Sequence, residues 1–200
     1  EGRLQSHQPE RRGPLLLRRE FFGVTDLFAV LGLPRRPWLD AEEIKQRHHS
    51  LMAAGPSANS SSAVLNEARR TLQSPALRIR HFLALEFPEY QAATQPQQDW
   101  DFFLQVGQAT REASELAARK SSLTHPLARA ALQKEILSRR DSLRLLKEAI
   151  ETRLATAEER LKTLENKPGD LSSLAEEFAF LQKNEASVRE ALLTLDQGLA

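Results

Sequence analysis

Apolar residues recur along this chain at helical spacing, and nowhere do they alternate in the period-two manner of a half-buried strand. Four short stretches come first. In "TDLFAVLGL" Thr25 or Asp26 is placed to N-cap a helix that offers Leu27, Phe28 and Leu31 for burial and stops at Gly32, a natural C-cap. Asp40 with Glu43 three residues on has capping-box spacing, and the helix it opens runs through Ile44 and Leu51. In "SAVLNEARRTLQSP" Leu65, Ala68 and Leu72 share a stripe that must end near Pro75. Ser74 then caps a helix with Pro75 in its first turn and an apolar face of Ile79, Phe82, Leu83 and Phe87.

Longer stripes follow. Trp100, Phe103, Val106, Ala113 and Leu116 lie near three-to-four spacing, and a second series runs through Leu132, Ile136, Leu143, Leu146, Ile150, Leu154, Ala157, Leu161 and Leu164. "KPGD" turns the chain with Asp170 as the expected N-cap. The last stripe is Leu171, Leu174, Phe178, Leu181, Val188, Leu192 and Leu195, interrupted only by Glu185. A short connection makes the last two helices antiparallel neighbours. The expected fold is all-α: a domain of short helices, then an antiparallel three-helix bundle with a long helical hairpin.

Breakers divide the chain in the same way. Eight of the ten prolines precede residue 100, and from Gln108 to Asn166 the only breaker is Pro126. The pattern predicts an N-terminal extension over 1–19, a short-helix domain over 20–88, a polar linker at about 87–98 and the bundle over 99–200. There is no cysteine, which excludes disulfides, thiolate metal sites and cysteine nucleophiles. No apolar run approaches the roughly 20 residues of a membrane span. The three leucines of "GPLLLRR" are too short a run for a secretory signal. Net charge is +1, so no global field favours nucleic acid, and the basic stretch has no interleaved aromatic platform. Charge is nevertheless uneven. Residues 68–85 hold Arg69, Arg70, Arg78 and Arg80 without an acid, whereas residues 141–200 hold twelve acids against eight bases.

A short helix ending in "LGL", a basic helix, a loop, then "LNEARRTLQSPALRIRHFLAL" resembles a J-domain, specifically the HscB type of iron–sulfur cluster assembly. Asn66, Ala68, Thr71, Leu72, Pro75, Arg80 and Phe82 carry the likeness, which covers residues 20–88. J-domains place His-Pro-Asp after their second helix to trigger ATP hydrolysis in a partner chaperone. Here the corresponding positions are Met52, Ala53 and Ala54. The alternative register, Gly55, Pro56 and Ser57, recovers only a proline, and no aspartate occurs between Asp40 and Asp99. The stretch therefore reads as a degenerate trigger loop. His48 and His49 fall too early and, as neighbours on a helix, diverge by about 100°, so they read as solvated helix residues.

The likeness extends more weakly into the bundle, which in HscB proteins holds the scaffold protein IscU. "FAFLQK" sets Phe180 on a client-binding position, and aligning "TRE" sets Leu104 on an apolar and Glu112 on an acidic one. Gln105, Gln108 and Ala109 depart from the family's choices. The resemblance implies a cytoplasmic co-chaperone or adaptor that needs no cofactor. Its client would be an iron–sulfur scaffold or similar protein, and it would not stimulate an ATPase. Lys45, Arg47 and His48 would remain to dock an ATPase chaperone of the DnaK or HscA type, with neither nucleic acid nor membrane as partner. Periodicity alone supports a second reading, a structural helical or coiled-coil interaction module. No nucleophile–base pair marks an enzyme.

Overall fold

A computed structural model describes residues 25–55, 61–91 and 99–197; the expected extension over 1–19 and most of the linker lie outside them. Seven helices and no strand occur among the described residues: α1 (Leu27–Leu31), α2 (Ala41–Ala54), α3 (Ser62–Gln73), α4 (Pro75–Glu86), α5 (Trp100–Ser122), α6 (Pro126–Thr163) and α7 (Pro168–Gln197). The caps are those the sequence offers. Asp26 Oδ1 accepts from the Phe28 and Ala29 amides, and Gly32 closes α1 with φ 64°, where a side chain would be strained. Asp40 Oδ1 accepts from Glu42 N and Glu43 N. Ser74 ends α3 and starts α4, which enters on Pro75.

Two apolar clusters fill the molecule. The upper one joins Phe28, Leu31, Ile44, Leu65, Leu72 and Ile79 of the short helices to Ala157 and Leu161 of α6 and to Leu171, Leu174 and Phe178 of α7. The short helices thus complete their core on the tip of the hairpin, with α4 lying along α7. Long-range polar ties key this region. The buried Arg78 donates to Pro37 O (2.7 Å) and Leu72 O (2.6 Å). His81 Nε2 accepts from Leu27 N at 3.1 Å, and its ring stacks on Phe28. Arg80 pairs with Glu176 at 2.8 Å. The lower cluster is the bundle proper: Phe102, Val106, Ala113 and Leu116 of α5 pack against Leu132, Ile136, Leu143 and Ile150 of α6 and Leu181, Val188 and Leu195 of α7.

Three details differ from the sequence pattern. On α5 the buried stripe is Phe102, Val106, Ala113 and Leu116, while Trp100 is 63% and Phe103 38% exposed. Phe102 and Val106 are four apart, as one face requires, and their register leaves Trp100 outside and Phe103 at the rim facing α7. Helix α7 starts at Pro168, so Asp170 lies within its first turn instead of capping it. The polar residue inside the α7 stripe is Asn184, 4% exposed, which donates back to Phe180 O at 2.9 Å; Glu185 is half-buried and pairs with Arg189.

Candidate functional site

Helix α2 carries the first set of candidate residues. Ile44 is its buried position, His48 and Leu51 are half-buried, and its other residues are exposed. Lys45 is paired with Glu42 at 2.5 Å, and Arg47 is exposed. His48 is half-buried, its Nε2 3.1 Å from Asn66 Oδ1 on α3, so it is more than a solvated helix residue: it ties α2 to α3. Met52, Ala53 and Ala54 form the last turn of α2 rather than a loop, and the chain leaves the helix at Gly55, φ 85°. Pro56 and Ser57 of the alternative register lie outside the described residues.

The bundle carries the second set. Where α5 meets α7, three aromatic rings run in series: Trp100 meets Phe103 edge-on at 6.0 Å, and Phe103 meets Phe180 at 6.3 Å. Phe180 is half-buried, and Leu104, 63% exposed, stands beside this ridge. Consecutive residues on a helix diverge by about 100°, so Leu104 lies on the outer side of α5 and Phe103 on the side turned toward α7. Glu112 faces the other way. It pairs with Arg139 of α6 at 2.5 Å and accepts from Gln108 at 2.9 Å, on the wall of a groove of about 650 Å³ between α5 and α6. The structure therefore places Phe180 with Phe103 and separates Glu112 from both.

The beginning of α5 is held firmly. Asp99 caps it through Phe102 N, and that hydrogen bond, helped by Arg153 at 2.9 Å, holds the carboxyl below the usual carboxylate range. Arg153 also covers the Phe102 ring at 4.0 Å. The ridge is thus an exposed aromatic surface on a fixed helix start. Trp100 and Phe103 belong to it although the stripe assigned them to the core; the signal was "WDFF", since three aromatics so close on one helix cannot share one face. No group of three or more potential metal ligands occurs among the described residues, and no helix among them is long and apolar enough to cross a membrane.

No family model matches the chain, and no curated protein matches it. Among solved structures, chaperone HscB from Vibrio cholerae is similar at 16% identity with a TM-score of 0.46, covering 86% of this chain and 96% of that one.

Proposed function

We propose that this chain is an HscB-like co-chaperone or adaptor that holds a client protein on its bundle and does not stimulate an ATPase. The observation that carries the reading is the ridge that runs from exposed Trp100 and Phe103 to half-buried Phe180, with exposed Leu104 beside it. Aromatic anchors of this type dominate binding energy at interfaces. Phe180 in the ridge and Leu104 beside it are two of the three client positions that the resemblance implies; Glu112, tied to Arg139, has a bundle-internal partner and contributes less. An iron–sulfur scaffold is the client class the resemblance implies. The reading keeps the short-helix unit (20–88) and the bundle (99–200) as separate working parts, with 1–19 as an extension.

On α2, exposed Lys45 and Arg47, with half-buried His48 beside them, would meet an acidic groove of a DnaK- or HscA-type chaperone. Exposed charges of this kind set encounter rate and register more than affinity. The positions where a trigger would stand are Met52, Ala53 and Ala54, none of which can supply an imidazole or a carboxylate. The test is two-part. Purified protein should capture a purified scaffold protein and bind it more weakly on Trp100→Ala or Phe180→Ala, and it should leave the chaperone's single-turnover ATP hydrolysis unchanged. A tenfold stimulation would sink the second half. Equal capture by both variants would sink the first, leaving the scaffolding reading, which the outward Leu127, Leu145 and Leu193 favour and which a concentration-dependent mass would reveal.

A further inference from the structure

A second cavity lies where the short helices meet the hairpin. It is a cleft of about 470 Å³, walled by the start of α2, the α3–α4 corner, α6 and α7, and independent of the aromatic ridge. Its size is that of a small-ligand site. Most charges on its wall are already matched: Asp40 caps α2, Glu42 holds Lys45, Glu185 holds Arg189, and Lys162 holds Glu159 at 2.6 Å while sitting over the Trp38 ring.

Two charges remain. Arg78 is 4% exposed and spends Nε and Nη1 on backbone carbonyls; its Nη2 has no hydrogen-bond partner among the described residues. The two carbonyls are dipoles, not counter-charges, and burial pushes the guanidinium down to about 10 even with Glu158 opposing the shift. Glu158 lies on the same cleft, exposed, with neither ion pair nor side-chain hydrogen bond among the described residues, Arg78 included. A buried cation and a rim carboxylate thus share one small cavity without closing on each other. Trp38 and Leu154 supply apolar wall in the same cleft.

We propose that this cleft binds a free α-amino acid with an apolar side chain, its carboxylate on Arg78, its ammonium on Glu158 and its side chain against Trp38 and Leu154. A simple anion would meet Glu158 as a like charge, and a simple cation would meet Arg78; only a zwitterion answers both, through charge-assisted hydrogen bonds.

The test is a titration of the full chain with L-leucine, followed by NMR at the Trp38 indole N–H, which Trp38→Phe assigns. Acetate and butylamine serve as the two half-ligands. A saturable shift with leucine is expected, at least about tenfold weaker with either half-ligand and at least about tenfold weaker in Glu158→Gln. The Glu158 side chain makes no hydrogen bond or ion pair among the described residues, but its charge favours the cationic forms of Arg78 and Lys162, so the melting temperature of this variant is measured alongside and leucine affinity is compared per folded molecule. No saturable shift at tens of millimolar leucine would overturn the proposal. So would acetate binding as well as leucine, which would mark a plain anion site, or full leucine affinity in Glu158→Gln.

Discussion

The upper and lower halves of the molecule are stabilised in different ways. Below, the bundle relies on repetition: apolar side chains at three-to-four spacing on three helices, trimmed with surface pairs such as Lys147–Glu151 and Arg140–Asp196. Above, short helices too brief to persist alone are keyed to each other by single contacts that nothing repeats, notably Arg78 to two carbonyls and His81 to the first amide of α1. A repetitive core spreads its loss over neighbours. A keyed one concentrates it.

The largest effect should come at the seam. Phe178 is fully buried in the upper cluster, although its helix belongs to the bundle. Phe178→Ala should cost about 3–5 kcal/mol. Denaturation followed by probes in each half should then show the upper half melting first; coincident transitions would mean that the contrast between the halves is false. Arg78→Met comes next. It strands the buried Pro37 and Leu72 carbonyls, at about 1–3 kcal/mol for each group left without a partner. Leu143→Ala, in the repetitive core, should cost about 2–5 kcal/mol yet leave near-native upper-half signals. If it unfolded the upper half first, the two halves would be one.

Below these in size is Phe180→Ala. It removes a half-buried ring whose aromatic contact among the described residues is Phe103. Client capture should weaken by about 1–3 kcal/mol, with only a small change in melting temperature. A large melting shift with capture unchanged per folded molecule would make Phe180 a packing residue.

The keyed half should also be the acid-sensitive one. His81 accepts from Leu27 N, which requires an unprotonated Nε2, and burial pushes its pKa below the ordinary value of about 6.5, with Arg35 acting in the same direction and Asp26 opposing. The unfolded chain therefore takes up the proton first. The contribution of His81 is complete above about pH 6.5 and is lost as pH falls through the lower folded pKa. Stability of the parent should decline faster between pH 7 and 5.5 than that of His81→Gln, whose amide oxygen still accepts from Leu27 N. Identical slopes would remove His81 from the account. Smallest of all, Arg189→Ala should change stability by less than about 0.5 kcal/mol, as exposed pairs do.

The contrast also explains what could be read from the sequence. Repetition is legible: the α6 stripe from Leu132 to Leu161 and the α7 stripe appear in the structure much as spaced, and so do Asp26, Gly32, Asp40 and Ser74, whose roles are local. Keys are not legible. Arg78 looked like one of four arginines on a basic stretch, because its partners, Pro37 and Leu72, are fixed only by the tertiary fold. His48 looked solvated for the same reason, Asn66 being on another helix. Register failed at "WDFF", where two three-to-four patterns begin two residues apart and only the packing of α5 on α6 and α7 selects Phe102 over Trp100. Of the ridge, Phe180 and Leu104 came from family likeness, while Trp100 and Phe103 needed the fold.

The composition of the upper cluster sets a timetable for the newborn chain. Helices α1 to α4 leave the ribosome first, but Leu171, Leu174 and Phe178, which complete their core, are about ninety residues behind Phe87. At roughly 5–20 residues per second the early helices wait about 5–20 s with their apolar faces incompletely covered. During that interval the nascent chain displays Phe28, Ile79 and Phe82 to whatever binds exposed apolar segments at the exit tunnel. Translation speed through α5 and α6 should therefore influence the yield of folded protein more than translation speed through α1 to α4.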